Sequence, residues 1–236
     1  MFFDHSPADG DDLLADFDGV APLFPLGSLT LLPNVVQPFH LFEPRYRQLG
    51  ADAVEGNGYI AMGILKPDGA SAYESKVAEI YPWVCLGKII QYEPLPEGRW
   101  NLIIRGLCRA TVAGEVDGPE LYRRVHLEPK SDDGETTDPD FDAAYHRQHL
   151  VDLFTEVQPK LAEYPAIRSM LEQPLPIGSL ADFVAHALDL SPASGAALLK
   201  EADAARRCLF LESLLEKHLK RVRDDDRPFP PEFSVN

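Results

Sequence analysis

The feature that most constrains the fold is an uncharged stretch of 24 residues, Gly19 to Phe42. Its length would suit a membrane-spanning helix. However, four prolines interrupt it, at Pro22, Pro25, Pro33 and Pro38. Each proline inside a helix removes a backbone hydrogen bond and clashes with the preceding turn, at a cost of about 3 kcal/mol. We therefore predict short strands joined by proline turns, and no insertion into a membrane.

A strand and then a short helix are predicted at the end of this stretch. Val35–Phe42 is an apolar run of strand length. Pro44 suits the first position of a helix, because the N–H that proline lacks would have no partner there. Gly56 suits the C-cap. The helix is therefore predicted from Pro44 to Glu55.

The rest of the first half has strand-like patterns. Val84–Tyr92 and Leu102–Val112 flank a turn at Pro94–Gly98, in which Gly98 can supply a left-handed residue. Short strands with few helical signals are typical of a β-rich module. We therefore predict a hairpin within such a module.

The second half changes to a helical period. Apolar residues three and four apart indicate a helix from about Phe141. Ser179–Asp182 resembles a capping signal, and Ser191-Pro192 offers an N-cap and a first-turn proline for another helix. The last helix is predicted from just after Asp203 to about Val222. The predicted fold class is α+β.

The net charge of −16 is concentrated in three segments. Residues 1–20 and 131–142 each hold six acids and no Lys or Arg, and residues 224–236 hold four acids and one Arg. Residues 21–130 and 143–223 sum to −1 and 0. We predict an acidic flexible tail, a β module, an acidic connector, a helical bundle and a C-terminal tail with these boundaries. Acidic ends aid solubility and repel nucleic acid.

The start of the β module resembles the LON substrate-binding domain, which is the N-terminal domain of the Lon protease family. The matching segments are LFPL at Leu23–Leu26, LLP at Leu31–Pro33, PFHLF at Pro38–Phe42 and EPRYR at Glu43–Arg47. A weaker likeness extends the match to roughly residues 21–222. The acidic connector is a departure from the family pattern.

This resemblance implies a PUA-like β-barrel or sandwich module followed by an α-helical bundle. It also implies a non-catalytic module that binds unfolded or extended polypeptide segments, as an adaptor in protein quality control beside a protease or chaperone. The chain ends before the family's ATPase and peptidase parts would begin, so we expect a stand-alone recognition domain.

Catalytic motifs do not emerge from the sequence. Its one Gly-Lys pair, Gly87-Lys88, is followed by Ile89 and lacks the upstream glycine of a phosphate-binding loop. The Ser–Lys dyad of the Lon peptidase, the Gly-x-Ser-x-Gly elbow and the His-Glu-x-x-His zinc helix have no counterpart. We therefore predict no enzymatic activity and no cofactor.

Histidine spacing offers one candidate metal site. His146 and His149 are three apart on a predicted helix, near Asp142 and Asp152. Two histidines without a third ligand are more typical of a solvated helix face, so no metal is predicted. His40, within an apolar strand, is predicted to be a hydrogen-bonded structural imidazole.

Cys85, Cys108 and Cys208 are odd in number and widely spaced, which excludes a fully paired disulfide framework. A nucleophilic cysteine needs a base and an orienting group, and Arg109 is the only adjacent charge. We interpret all three as inert, reduced thiols. The first residues lack a basic region and an apolar run, so a secretory signal is not expected and a cytoplasmic location is predicted.

Charged residues follow the apolar strand at Glu43, Arg45 and Arg47. They could contact the backbone or carboxylate of a client peptide. The interpretation we favour is local: Glu43 caps the short helix and an arginine ties that helix to the sheet.

Four aromatic residues, Tyr81, Trp83, Tyr92 and Trp100, fall near strand ends and are the candidate peptide-binding residues. Exposed rings anchor extended chains well, although core packing is the usual role of such rings in strands. A cleft between the two modules that serves a small molecule or an enzymatic reaction is the alternative function. Nucleic acid is disfavoured, because no basic stripe is present.

Overall fold

The computed structural model describes residues 14–27, 29–67, 78–130, 136, 138–188 and 190–225. The strands are β1 Val20–Leu26, β2 Val36–Leu41, β3 Tyr59–Ile64, β4 Trp83–Leu95, β5 Arg99–Val116 and β6 Arg123–Lys130. The helices are α1 Pro44–Glu55, α2 Ala143–Val157, α3 Pro159–Ala162, α4 Pro165–Glu172, α5 Ile177–Ala187, α6 Pro192–Lys200 and α7 Ala204–Asp225. The α+β prediction is confirmed.

The strands close into a barrel. Their order is β2-β5-β4-β3-β1-β6, and β6 returns to pair with β5. Only the β1–β3 pairing is parallel among the described strands. The length of β5 makes closure possible, because its first half pairs with β2 and its second half with β6. The barrel therefore has five strands in its ring and β2 as an additional edge.

Every strand of the ring contributes apolar side chains to one cluster inside the barrel. Its buried members are Ala21, Leu23, Tyr59, Ala61, Val84, Leu86, Ala110, Val125 and Leu127. On β6 the neighbouring residues His126 and Glu128 are exposed, as the two-residue period of a strand requires. Leu14 and Phe17, within the segment expected to be a flexible tail, pack against this cluster.

A second, larger apolar cluster joins the outside of the barrel to the helices. Ile60, Met62 and Cys85 face outward and belong to the same cluster as Phe154 and Leu211 of the bundle. Within the bundle, α7 packs against α2 and α5, and α6 contacts β4. The boundary between a β module at 21–130 and a bundle at 143–223 stays a prediction. The two parts nevertheless share one continuous core.

Most local signals gave the correct elements. The helix predicted at Pro44–Glu55 is present with Gly56 at its C-cap. The Ser191 side chain accepts a hydrogen bond from the Ser194 N–H, and Pro192 follows as the first helical residue. The turn between β4 and β5 places Gly98 at φ +71° and also Glu97 at φ +65°. The strand predicted at Val35–Phe42 is one residue shorter at each end.

The capping signal predicted at Ser179–Asp182 is wrong. The helix α5 begins at Ile177, with Pro176 as the preceding N-cap residue. Ser179 and Asp182 therefore lie inside the helix, and Asp182 is buried rather than placed at an exposed helix end. The carboxylate has a tertiary role that overrides the local pattern.

Candidate functional site

The loop between β1 and β2 is wedged between the barrel and the bundle. A Cβ on Gly106 of β5 would lie 2.2 Å from the Leu32 carbonyl oxygen, so only glycine permits this approach. On the opposite side, Nδ1 of His186 lies 3.3 Å from the Thr30 carbonyl oxygen. A Cβ on Gly195 would lie 2.0 Å from the Thr30 hydroxyl. Close packing on both sides fixes the bundle against the barrel.

Acidification is expected to weaken this contact through His186. Burial lowers the pKa of His186, and the hydrogen bond to the Thr30 carbonyl only partly opposes that effect. Its other nitrogen, Nε2, lies 3.1 Å from the Gln37 amide oxygen. As the pH falls below about 6.5, the unfolded chain takes up a proton that the folded chain resists, so the free energy of unfolding decreases.

The test is urea unfolding of the wild type and of His186→Gln between neutral pH and about pH 5.5, which spans the ordinary histidine pKa. The wild type is expected to lose more stability over this range than the variant. Equal losses would show that His186 does not carry the effect.

A buried ionic cluster connects the same two parts of the molecule. Asp182 of α5 is 2% exposed, and its Oδ1 lies 2.5 Å from Nη2 of Arg109 and 3.4 Å from Nε of Arg207. Arg109, on β5, also donates from Nε to the Leu198 carbonyl of α6 at 3.2 Å. Arg207, on α7, donates to the Ala202 carbonyl at 2.6 Å. The cluster thus ties one strand to three helices.

A groove of about 620 Å³ lies beside this cluster, between β4 and the helices α6 and α7. The residues that line it are Trp83, Ala197, Leu198, Lys200, Glu201, Arg206, Arg207 and Phe210. Trp83 is partly buried and Phe210 is 37% exposed. Because Arg207 and Leu198 also belong to the ionic cluster, part of the lining is rigidly held. The groove therefore combines two aromatic rings with a fixed wall.

The charged groups of the groove are mostly cationic. Lys200 is exposed and has no ion-pair partner among the described residues. The Arg206 side chain is 75% exposed, and its Nη1 lies 3.9 Å from Oε2 of Glu201. Among the described lining residues there is no Ser, Cys, His or Asp. This lining offers aromatic and cationic side chains to a ligand.

The four predicted aromatic residues do not form one site. Trp83 lines the groove, and Tyr81 is partly buried two positions before it. Tyr92 lies nine residues farther along β4, roughly 30 Å at the usual rise of a strand. There it makes an edge contact with Trp100 at 6.1 Å between ring centroids, and Trp100 packs closely on Gly50 of α1.

The other groove residues were missed by the sequence reasoning. Phe210, Lys200 and Arg206 lie on the helices α6 and α7, whereas the four aromatic residues predicted from the sequence lie on or beside the strands β4 and β5. One signal was available, because Phe210 falls beside the buried stripe of α7 that contains Leu211 and Leu215. A large apolar residue outside the buried stripe of an amphipathic helix indicates an exposed contact surface.

The charged residues after β2 have local roles. Glu43 is the N-cap residue of α1, but its side chain makes no capping hydrogen bond and instead accepts from Arg45 at 2.9 Å. Arg47 donates to the Glu97 carbonyl in the β4–β5 turn. An arginine therefore ties α1 to the sheet as predicted. The prediction that the Glu43 side chain caps the helix is wrong.

The paired histidines of α2 contact α7. Nδ1 of His146 lies 2.9 Å from Glu212, and Nε2 of His149 lies 3.2 Å from Glu216. Within the described ranges, no group of three or more His, Cys, Asp or Glu side chains could hold a metal ion. The face predicted to be merely solvated is thus part of a helix–helix contact.

His40 is hydrogen-bonded, but it is not inside the apolar layer. Its Nδ1 lies 2.8 Å from Oδ1 of Asn101 on the exposed face of the sheet. The Asn101 amide in turn donates to Glu93 at 2.9 Å. His40 is therefore part of a row of hydrogen-bonded side chains that crosses β2, β5 and β4 on the surface of the sheet.

All three cysteines are free thiols whose surroundings oppose ionisation. Burial raises the pKa of Cys85 well above its ordinary value, and it raises the pKa of Cys108 to about 11 and that of Cys208 to about 12. The thiolate is the nucleophilic form, so these thiols are poor nucleophiles at neutral pH.

Comparison with known proteins identifies the family. The family model of the ATP-dependent protease La (LON) substrate-binding domain matches residues 20–217. The chain is 26% identical over 204 residues to the Lon protease of Methylocella silvestris, covering 85% of this chain and 24% of that protein. It is 22% identical over 224 residues to the Lon protease of Azorhizobium caulinodans, covering 94% of this chain and 25% of that protein. It thus spans about a quarter of their length.

Solved structures show the same fold. The N-terminal domain of the Mycobacterium avium complex Lon protease superposes with a TM-score of 0.65 at 18% identity, covering 84% of this chain and 99% of that one. A Lon N-terminal domain protein from Xanthomonas campestris gives a TM-score of 0.53 at 24% identity, with 84% and 97% coverage. Across the residues that the structure describes, no helix combines the length and apolarity needed to cross a membrane. This chain belongs to the family of the ATP-dependent protease La (LON) substrate-binding domain.

Proposed function

We propose that this chain binds exposed segments of other polypeptides in the groove lined by Trp83 and Phe210, and that it catalyses no reaction on them. The family carries substrate binding in its name, and its relatives include whole Lon proteases. The observation that supports the proposal most is the pair of aromatic rings in the groove. An adaptor role in protein quality control, in the cytoplasm and beside a protease or chaperone, is part of the proposal.

The physical basis is contact with large rings at low entropic cost. Trp83 is on a barrel strand and Phe210 is on α7, so the two rings approach a bound segment from different parts of the molecule. The ionic cluster of Arg109, Asp182 and Arg207 holds those parts together before any ligand arrives. Preorganisation of this kind lowers the entropy lost on binding, and aromatic side chains commonly dominate binding energy.

Replacing Trp83 with Ala is expected to weaken binding of a fluorescently labelled, permanently unfolded polypeptide about tenfold or more, the usual effect of losing a dominant aromatic contact. Binding would be measured by fluorescence anisotropy. Tyr164→Ala is the matched control, because Tyr164 is 63% exposed and lies between α3 and α4, away from the groove. The control should bind as the wild type does.

Trp83 also packs against the core, so Trp83→Ala can lower stability. Phe210→Ser serves as a second variant, because Phe210 is 37% exposed and its loss should disturb folding less. Both variants would be checked for unchanged circular dichroism at the assay temperature. Wild-type affinity in both folded variants would remove the groove from the proposal, and absence of binding by the wild type would remove the function.

A further inference from the structure

We infer that the groove prefers polypeptide segments in which a large aromatic or apolar residue is flanked by carboxylates; this inference rests on the proposed function. The rings of Trp83 and Phe210 would hold the apolar residue. The cations Lys200 and Arg206 line the same groove and would contact its acidic neighbours. The occupant we propose is therefore an acidic–aromatic segment of another protein.

The two cations are well placed for an outside partner. Lys200 is the last residue of α6 and Arg206 lies in the first turn of α7, so both stand at the junction of these helices. Lys200 is exposed with no ion pair to another described residue, and the Arg206 side chain is three-quarters exposed. Neither cation is needed by the buried cluster. Carboxylates of a bound segment can reach both without the cost of breaking an internal salt bridge in a buried site.

Glu201, the one acid among the described lining residues, is already engaged. Glu201 accepts a hydrogen bond from the Asp203 N–H at 3.0 Å through Oε1, and its Oε2 faces Arg206 at 3.9 Å. Arg207 is only 1% exposed and lies against Asp182, a carboxylate that it shares with Arg109, so its charge is directed into the protein. The accessible balance of the groove is thus positive, in a chain whose net charge is −16. The net negative charge of the chain opposes the approach of acidic segments, so their attraction to the groove has to come from direct contacts with Lys200 and Arg206.

A nucleic acid also offers negative charge and rings that stack. The groove suits it less, because a phosphate chain extends beyond the two cations of the groove, and residues 21–130 and 143–223, with net charges of −1 and 0, offer no excess of cations to its further phosphates. A peptide needs cationic partners only for the few carboxylates beside its apolar residue, and Lys200 and Arg206 can supply them. The peptide is therefore the occupant that we propose, and a nucleic acid is a contrary outcome of the test.

The test compares three short fluorescent peptides with the same Phe-containing apolar centre, flanked by Glu, by Gln or by Lys. The proteins are the full chain, the charge reversal K200E/R206E and the control reversal K217E/R221E, which changes exposed residues of α7 outside the groove lining. At low salt the full chain should bind the Glu-flanked peptide about tenfold more tightly than the Gln-flanked one, since partly exposed charge pairs strengthen binding modestly. This preference should shrink at high salt.

K200E/R206E is expected to lose the preference while it still binds the Gln-flanked peptide, and K217E/R221E should retain the preference. Equal affinity of the full chain for all three peptides would overturn the inference and leave the proposed function standing. Failure to bind any peptide would overturn the proposed function itself. Tighter binding of a single-stranded RNA that displaces the Glu-flanked peptide, and that K200E/R206E abolishes, would overturn the inference in favour of nucleic acid.

Discussion

Replacing Asp182 with Ala is expected to lower the free energy of unfolding by about 3–5 kcal/mol, because it leaves buried guanidinium groups without their carboxylate. Arg109 and Arg207 are each 1% exposed, so water cannot replace the lost partner. The measurement is urea unfolding followed by circular dichroism. A variant that does not fold at all would also agree with the expected decrease in the free energy of unfolding.

Three further variants make this test sharper. Asp182→Asn keeps acceptor and size but removes the charge, and it should fall between wild type and Asp182→Ala. Glu79→Ala removes an exposed ion pair with Lys66 and should lower the free energy of unfolding far less than Asp182→Ala does. A triple change of Arg109, Asp182 and Arg207 to apolar residues should be less destabilising than Asp182→Ala alone. A cost below about 1 kcal/mol for Asp182→Ala would contradict the role given to the cluster.

Gly106→Ala is expected to lower the free energy of unfolding by about 3 kcal/mol, the upper end of the usual cost of overpacking. The new Cβ would lie 2.2 Å from the carbonyl oxygen of Leu32, which is backbone and cannot rotate away. Gly106 and the loop also exchange hydrogen bonds, from its N–H to the Val35 carbonyl and from the Asn34 N–H to its own carbonyl, both at 2.9 Å. The clash therefore strains both the loop and β5.

Gly114→Ala is the matched control for this change. Gly114 lies on the same strand, and a Cβ there would meet nothing within 4 Å. The control should alter the free energy of unfolding by less than about 1 kcal/mol, because it adds no clash. Similar effects of the two substitutions would show that strand propensity, rather than the contact with Leu32, explains the loss.

Elements with strong local signals could be predicted from the sequence. Pro44 and Gly56 mark the two ends of α1, and Ser191 marks the start of α6, because helix ends are determined by the few backbone groups that lack partners there. The hairpin of β4 and β5 likewise follows from two strand patterns and Gly98. Each of these signals lies within the element that it predicts.

The ionic cluster could not be predicted in the same way. Arg109 and Asp182 are 73 residues apart in the chain, and Asp182 sits in a pattern that is typical of a helix cap. Local pattern cannot show that the strand and the helix meet. The groove could not be predicted from local sequence for the same reason, because Trp83 comes from β4 and Phe210 from α7. Only the packing of bundle on barrel brings these side chains together.

The segments that carry the family resemblance contribute to the fold and not to the proposed binding site. Leu31 and Leu32 are buried in the wedged loop, and Arg47 of the EPRYR segment ties α1 to the turn between β4 and β5. None of these residues lines the groove. The resemblance at these positions therefore predicts the fold of the chain. The binding preference depends on the residues that line the groove.

The central claim, that polypeptide segments bind in the Trp83 groove, is tested most directly by tryptophan fluorescence. The chain has two tryptophans, so Trp100→Phe leaves Trp83 as the single indole. Addition of the Glu-flanked peptide to this variant should shift Trp83 emission saturably, with the same midpoint as binding followed by anisotropy. Saturable anisotropy with unchanged Trp83 emission would contradict the claim, because the peptide would then bind elsewhere.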